Sequence, residues 1–171
     1  RENENLSELF EFYYGILHVT VVYYDKKQKR TKERQEGYMQ VLYKSTRGKG
    51  ETVTASMAIL KGLSEDGGLF VPTSIPKLDV PVEKLAQMTY QETAYEVMSR
   101  FLTDFTEEEL KNCIANAYDE KFDTTEIAPL HEADGAYYLE LFHGSTIAFK
   151  DMALSILPHL MTTAARKNQV K

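Results

Sequence analysis

Residues 139–151 read LELFHGSTIAFKD and decide the fold, because a strand, a turn and a helix are predicted to follow one another there. Residues 137–142 are almost all aromatic or aliphatic, which is typical of a strand. Gly144 allows a turn, since glycine adopts backbone angles that are closed to other residues. A helix is predicted from about Ala148, which places Lys150 in its first turn.

Lys150 is the candidate nucleophile. The free backbone N–H groups of a first helical turn carry partial positive charge and disfavour a protonated amine. An amine held there suits Schiff-base chemistry, and ligand sites in α/β proteins form where strands end. The alternative is a solvated surface lysine, the usual role of this residue type. Apolar neighbours at residues 148–149 and 152–154 favour the nucleophile.

The same residues carry a family resemblance. They resemble the lysine motif of threonine synthases, FHGPTxAFKD, whose lysine carries pyridoxal 5′-phosphate. Ser145 stands where that family usually has proline, so the turn loses a fixed backbone angle and gains a hydroxyl. Upstream, YKSTRG at residues 43–48 and GLSEDGGLFVP at residues 62–72 resemble the family's N-terminal domain. The two motifs stand in the family's order, and the resemblance covers about residues 39–171.

The resemblance implies an α/β fold and an activity. An α+β N-terminal domain would precede the start of the α/β catalytic domain of a fold type II pyridoxal-phosphate enzyme, in an incomplete chain. The implied reaction converts O-phospho-L-homoserine and water to L-threonine and phosphate. Lys150 would carry the cofactor as a Schiff base and shuttle protons. Ser145 and Thr146 are candidate cofactor contacts, with turn stabilisation as the alternative, and Asp151 is either a helix N-terminal charge or a site residue.

Two other functions stay open at this point. Another fold type II lyase, such as a threonine dehydratase or cysteate synthase, would use the same lysine, although the N-terminal motif argues against it. A threonine synthase-like protein would keep the scaffold without the catalysis. The family's loop for the cofactor phosphate is expected beyond Lys171, so the chain alone is expected to be inactive. The sequence does not indicate the substrate-binding residues, the oligomeric state or an allosteric effector.

Composition narrows the classes of partner. The chain has 171 residues and a net charge of −6, which argues against binding nucleic acid. Its sequence has no apolar run near the roughly 18 residues that span a bilayer. Cys113 is the single cysteine, which excludes an intrachain disulfide framework and fits a reducing compartment such as the cytoplasm. The histidines are scattered, so we expect no metal site: they are His18, His131, His143 and His159.

Three segments are predicted. Residues 1–38 form an upstream extension, residues 39–128 the N-terminal domain, and residues 129–171 the start of the catalytic domain. Codons for residues 35–37 can contain a bacterial ribosome-binding sequence before Met39, so the extension is expected to be non-native. A genuine N-terminal extension is the alternative. Residues 9–24 are rich in aromatic and β-branched residues and could form a strand.

Local signals place the remaining elements. Short strands are predicted at residues 40–43 and 69–71, and a short helix at residues 82–86. Pro158 is expected to bend or break the lysine helix, which would resume over residues 162–171. Further helices are indicated by cap residues: Thr52 or Thr54 before a helix that Gly62 ends, and capping boxes at Thr89 with Glu92 and at Thr106 with Glu109.

Overall fold

The computed structural model describes residues 40–170 and, before them, the backbone of two short strands. These strands, β1 (Glu11–Tyr14) and β2 (Leu17–Thr20), pair antiparallel, with Tyr14 opposite Leu17. The strand expected over residues 9–24 is therefore a pair of shorter strands where the structure describes it. The rest of that stretch, and the predicted extension as a whole, lie outside the described residues.

The N-terminal motif forms a small antiparallel sheet with a helix between its strands. β3 (Tyr43–Ser45) pairs with β4 (Phe70–Pro72), and α1 (Ala55–Lys61) lies between them in the chain. The Thr54 hydroxyl accepts from the N–H of Met57, and Gly62 ends the helix at a φ of 65°, as predicted. Both strands begin later than predicted. The reason for β3 is that the N–H of Val41 donates to the hydroxyl of Thr103 rather than to a neighbouring strand.

The capping boxes open their helices as predicted. In α3 (Tyr90–Phe101) the Glu92 carboxylate accepts from the N–H of Thr89 at 2.8 Å, and the Thr89 hydroxyl accepts from the N–H of Glu92. Thr106 and Glu109 repeat this pair at the start of α4 (Glu107–Ala117), with the carboxylate 2.9 Å from the N–H of Thr106. The short helix α2 (Val82–Leu85) precedes them. Among the described residues, no helix is long and apolar enough to cross a bilayer.

The strand before the lysine is one arm of an exposed hairpin. β5 (Leu130–Ala133) pairs with β6 (Ala136–Leu139) through a turn at Asp134 and Gly135, whose φ angles of 52° and 74° are both positive. Those angles are typical of a type I′ turn, which matches the twist of the flanking strands. The predicted strand over residues 137–142 therefore starts earlier and ends earlier, because the hairpin partner sets its length.

The helical segment around the lysine differs from the prediction at both ends. α5 (Asp151–Leu154) begins after Lys150, not at Ala148, because the N–H groups of Asp151 and Met152 donate to the carbonyl oxygens three residues before them, as in a 3₁₀ turn. α6 (Leu157–Lys167) starts before Thr162 and contains Pro158 in its first turn. A proline there costs nothing, since its missing N–H has no partner inside the helix.

The hydrophobic core joins both sides of the domain boundary predicted at residue 128. α6 packs on α1 and α4, and α3 packs on α4. The boundary itself stays a prediction. The buried cluster combines residues from the helices and from the segments around them, among them Tyr43, Leu102, Leu110, Ile114, Ala117, Tyr118, Ile127, Met152, Ile156, Leu160 and Ala164.

Tyr118 connects the core to the lysine segment. Its buried hydroxyl donates to the carbonyl oxygen of Met152, in α5, at 2.8 Å. Its ring meets that of Tyr90 edge-on, with centroids 4.8 Å apart. The end of α4 is thereby bonded to the helix that follows Lys150.

Removing that hydroxyl tests the connection. Tyr118→Phe leaves the buried carbonyl of Met152 without its donor, so we expect the free energy of unfolding to fall by about 1–3 kcal/mol. Urea denaturation measures it. Tyr138→Phe, on the exposed face of β6, is the matched control and should change stability by less than about 0.5 kcal/mol. Equal effects of the two substitutions would contradict the connection.

Candidate active site

Lys150 lies at the edge of an open groove. The residue is exposed and stands directly before α5, with φ and ψ of −62° and −23°. The groove has a volume of about 940 Å³ and is lined by residues of α3, α5, α6 and the hairpin. Phe149, Ala153 and Leu157 line the same groove as Lys150. The structure therefore presents a primary amine next to an apolar surface.

The electrostatic argument for this lysine is weaker than the sequence indicated. Lys150 precedes the helix instead of lying in its first turn, and α5 has four residues. Few peptide dipoles are aligned in so short a helix, so its N-terminal field is small. The assignment of Lys150 as a nucleophile is therefore supported by the accessibility of its amine and by the apolar residues around it.

Asp151 fixes the turn that leads to Lys150. Its side chain is buried, and its carboxylate accepts from the N–H of Thr146 at 2.7 Å and from the Thr146 hydroxyl at 2.6 Å. A buried carboxylate is stable when it is bonded in this way. Asp151 therefore acts as an internal anchor, a role that the sequence left open between a helix charge and a site residue.

Gly144 is required for a different reason than predicted. Its φ is not among the positive angles of the described residues, so backbone freedom is not the need. A Cβ at this position would lie 2.5 Å from the Cβ of Asp151 and 2.6 Å from its Oδ2. Such distances are impossible without displacing the carboxylate, so Gly144 makes room for the anchor. The positive φ in this turn belongs to Ile147, whose N–H donates to the carbonyl of Gly144.

The two predicted hydroxyls differ in their surroundings. Thr146 and Ser145 are both exposed on the turn before Lys150. The Thr146 hydroxyl donates its proton to Asp151, so only its oxygen lone pairs are left for another partner. A phosphate needs donors, so Thr146 fits turn stabilisation better than phosphate contact. The contacts predicted for both residues stay predictions.

The groove contains residues that the sequence did not indicate as site residues. Tyr90, Val97 and Met98 of α3 line it opposite the lysine segment. Tyr90 and Met98 are partly buried and also pack against the hydrophobic core. Periodicity alone cannot tell a covered face from a groove wall, because both are apolar.

The anchor can be tested without ligand. Asp151→Ala removes both acceptors of Thr146, so we expect the free energy of unfolding to fall by about 2–3 kcal/mol. Asp151→Asn should cost less, because an amide still accepts from the N–H and donates to the hydroxyl. Urea denaturation compares both with Asp79→Ala, in the exposed loop before α2. A cost at Asp151 no greater than that at Asp79 would show that the carboxylate anchors nothing.

Known proteins share this architecture. Residues 42–118 match the family model of the threonine synthase N terminus. The threonine synthase of Schizosaccharomyces pombe is 42% identical over 125 residues, which are 71% of this chain and 24% of that protein. The chain thus spans about a quarter of the length of the curated relatives it matches.

Solved structures agree with the sequence comparison. The pyridoxal-phosphate-bound threonine synthase from Brucella melitensis is 30% identical with a TM-score of 0.68, over 75% of this chain and 28% of that one. The yeast threonine synthase is 33% identical with the same TM-score, over 78% and 28%. The predicted family and the α/β fold are confirmed. Residues 42–118 therefore carry the threonine synthase N-terminal domain, and the chain is similar to threonine synthases over about three quarters of its length.

Proposed function

We propose that this chain is part of a threonine synthase in which Lys150 holds pyridoxal phosphate and the substrate is O-phospho-L-homoserine. The observation that carries the proposal is the exposed amine of Lys150 beside an apolar groove, next to the buried anchor Asp151. Water and the substrate would give L-threonine and phosphate. The fold comparison supports the family, and the lysine geometry supports the role within it.

The residues present fit the aldehyde end of the cofactor. An aldehyde is captured by a primary amine, and the amine of Lys150 is accessible. Phe149 and Leu157 line the same groove and offer apolar surface for a planar ring. Ser145, exposed on the preceding turn, is the better of the two predicted hydroxyl contacts, because Thr146 already donates to Asp151.

The chain's own residues would position and move protons. When bound, the cofactor supplies the electron sink for the reaction. Lys150 Nζ would move protons at the α and β carbons of the substrate, while phosphate leaves the γ carbon, that carbon gains a proton to become the methyl group, and water adds at the β carbon. One amine must then reach two adjacent carbons, so its backbone must be held in place. Asp151, the residue next to Lys150, would do this through its hydrogen bonds to Thr146 on the preceding turn.

The matched domain argues for this enzyme over its relatives. A threonine dehydratase or cysteate synthase would use a lysine in the same way. The family model that matches residues 42–118 is that of the threonine synthase N terminus, which favours threonine synthase. A scaffold without catalysis is distinguished by the experiment below.

Substitution of Lys150 in the full-length enzyme tests the role directly. Lys150→Ala should reduce phosphate release from O-phospho-L-homoserine to background, because it removes the amine. Lys150→Arg should do no better, since a guanidinium stays protonated. Lys84→Ala, an exposed lysine of α2, is the control and should keep wild-type turnover. Clear activity in either Lys150 variant would refute the assignment, and an inactive wild type would favour a scaffold protein.

A further inference from the structure

His143 lies between two carboxylates just before the turn that leads to Lys150. Its Nδ1 is 2.6 Å from Oδ1 of Asp123, and its Nε2 is 2.8 Å from Oε2 of Glu140. The His143 side chain is 13% exposed. Both ring nitrogens are therefore engaged, each with an acidic partner.

These contacts determine the charge of the ring. A neutral imidazole has one N–H and one lone pair, whereas an ionised carboxylate only accepts hydrogen bonds. Two contacts of hydrogen-bond length to carboxylates therefore require both ring nitrogens to carry a proton. The hydrogen bonds to Glu140 and then to Asp123 raise the pKa of His143 above its ordinary value. The geometry therefore favours a protonated His143 ring between the two carboxylates.

The cation connects segments that are distant in the chain. Asp123 lies between α4 and β5, and Glu140 follows the last residue of β6. The backbone adds a bond between the same residues, since the N–H of Asp123 donates to the carbonyl of His143 at 3.0 Å. The ring of Phe142 stacks on the imidazole at 4.5 Å. His143 is thus held through its ring and its backbone.

We propose that His143 is a positioning residue, a fixed imidazolium that joins Asp123 to Glu140 and thereby holds residues 144–146 in place ahead of Lys150. Gly144 follows it directly, and Thr146 is bonded from the other side by Asp151. The turn is then fixed at both ends, by an ion pair at one and a buried carboxylate at the other. The charge of His143 is inferred from its own contacts, whereas its role in positioning Lys150 rests on the proposed function.

Charge makes this contact dependent on pH. The charged groups that face the ring are the carboxylates of Asp123 and Glu140, and Asp151 lies behind Gly144 with its carboxylate on Thr146. Because the pKa of His143 is raised on folding, its contribution to stability is full below about pH 6.5 and is lost as pH rises through the folded pKa. Above it, one carboxylate would face a ring lone pair.

The protonation state can be observed on the chain itself. In a long-range ¹H–¹⁵N spectrum, with His143→Gln identifying the signal, both ring nitrogens of His143 should carry protons at pH 7.5. A histidine with an ordinary pKa of about 6.5 is mostly neutral there. Asp123→Asn and Glu140→Gln should each lower the titration midpoint, whereas Glu132→Gln, an exposed carboxylate of β5, should not. A neutral ring at pH 7.5, or a midpoint that neither partner variant lowers, would overturn the proposal.

The positioning role has a separate readout. The backbone amide signals of Gly144 and Thr146 should shift with the same midpoint as the His143 ring, and this shift should disappear in His143→Gln. The amide of Glu109, in the capping box of α4, is the internal control and should not follow that titration. Turn amides that ignore the titration would refute the positioning role. Activity retained by the Lys150 variants would refute the proposed function, but it would not affect the predicted titration of His143.

Discussion

The buried carboxylate of Asp151 is the interaction on which the lysine end of this chain depends. A carboxylate that leaves water must recover its hydrogen bonds, and Asp151 does so from the N–H and hydroxyl of Thr146. These hydrogen bonds constrain the other residues of the turn. Gly144 must lack a side chain, because the carboxylate occupies the place of its Cβ. Lys150 is held through its neighbour while its own amine stays exposed.

The helix that begins with Asp151 is short and takes its position from the core. Tyr118, at the end of α4, donates to the carbonyl of Met152, and Met152 is itself buried. α6 follows and packs on α1 and α4. A helix of four residues is not stable in isolation, so tertiary packing must hold it. The same packing tolerates the positive φ of Ile147, an unusual angle for a β-branched residue that lies three positions before Lys150.

The sequence predicted what depends on neighbouring residues. Both capping boxes and the helix between Thr54 and Gly62 are set by residues within four positions of one another, and all are as predicted. The hairpin turn at Asp134 and Gly135 was also readable, since an Asp-Gly pair before an apolar strand is a strong hairpin signal. Reading it would have given β6 its correct limits.

Features that depend on distant residues could not be predicted. α5 starts only after a turn in which Asp151 and Met152 bond to the third residue back, whereas propensity alone favoured a helix from Ala148. The groove brings α3 against a lysine that lies some fifty residues later in the sequence. The contacts of His143 require a hairpin that returns Glu140 to the segment after α4. The motif indicated Lys150 as the nucleophile, which stays a prediction, whereas the surroundings of Lys150 could not be predicted.

The central claim is that the amine of Lys150, and no other amine of the chain, holds the cofactor. The most direct measurement is borohydride reduction of the full-length enzyme with bound pyridoxal phosphate, followed by peptide mapping by mass spectrometry. The account predicts one modified peptide, with the label on Lys150, and no stoichiometric label in the Lys150→Arg enzyme. A label on a different lysine, or one spread over several surface lysines, would contradict it.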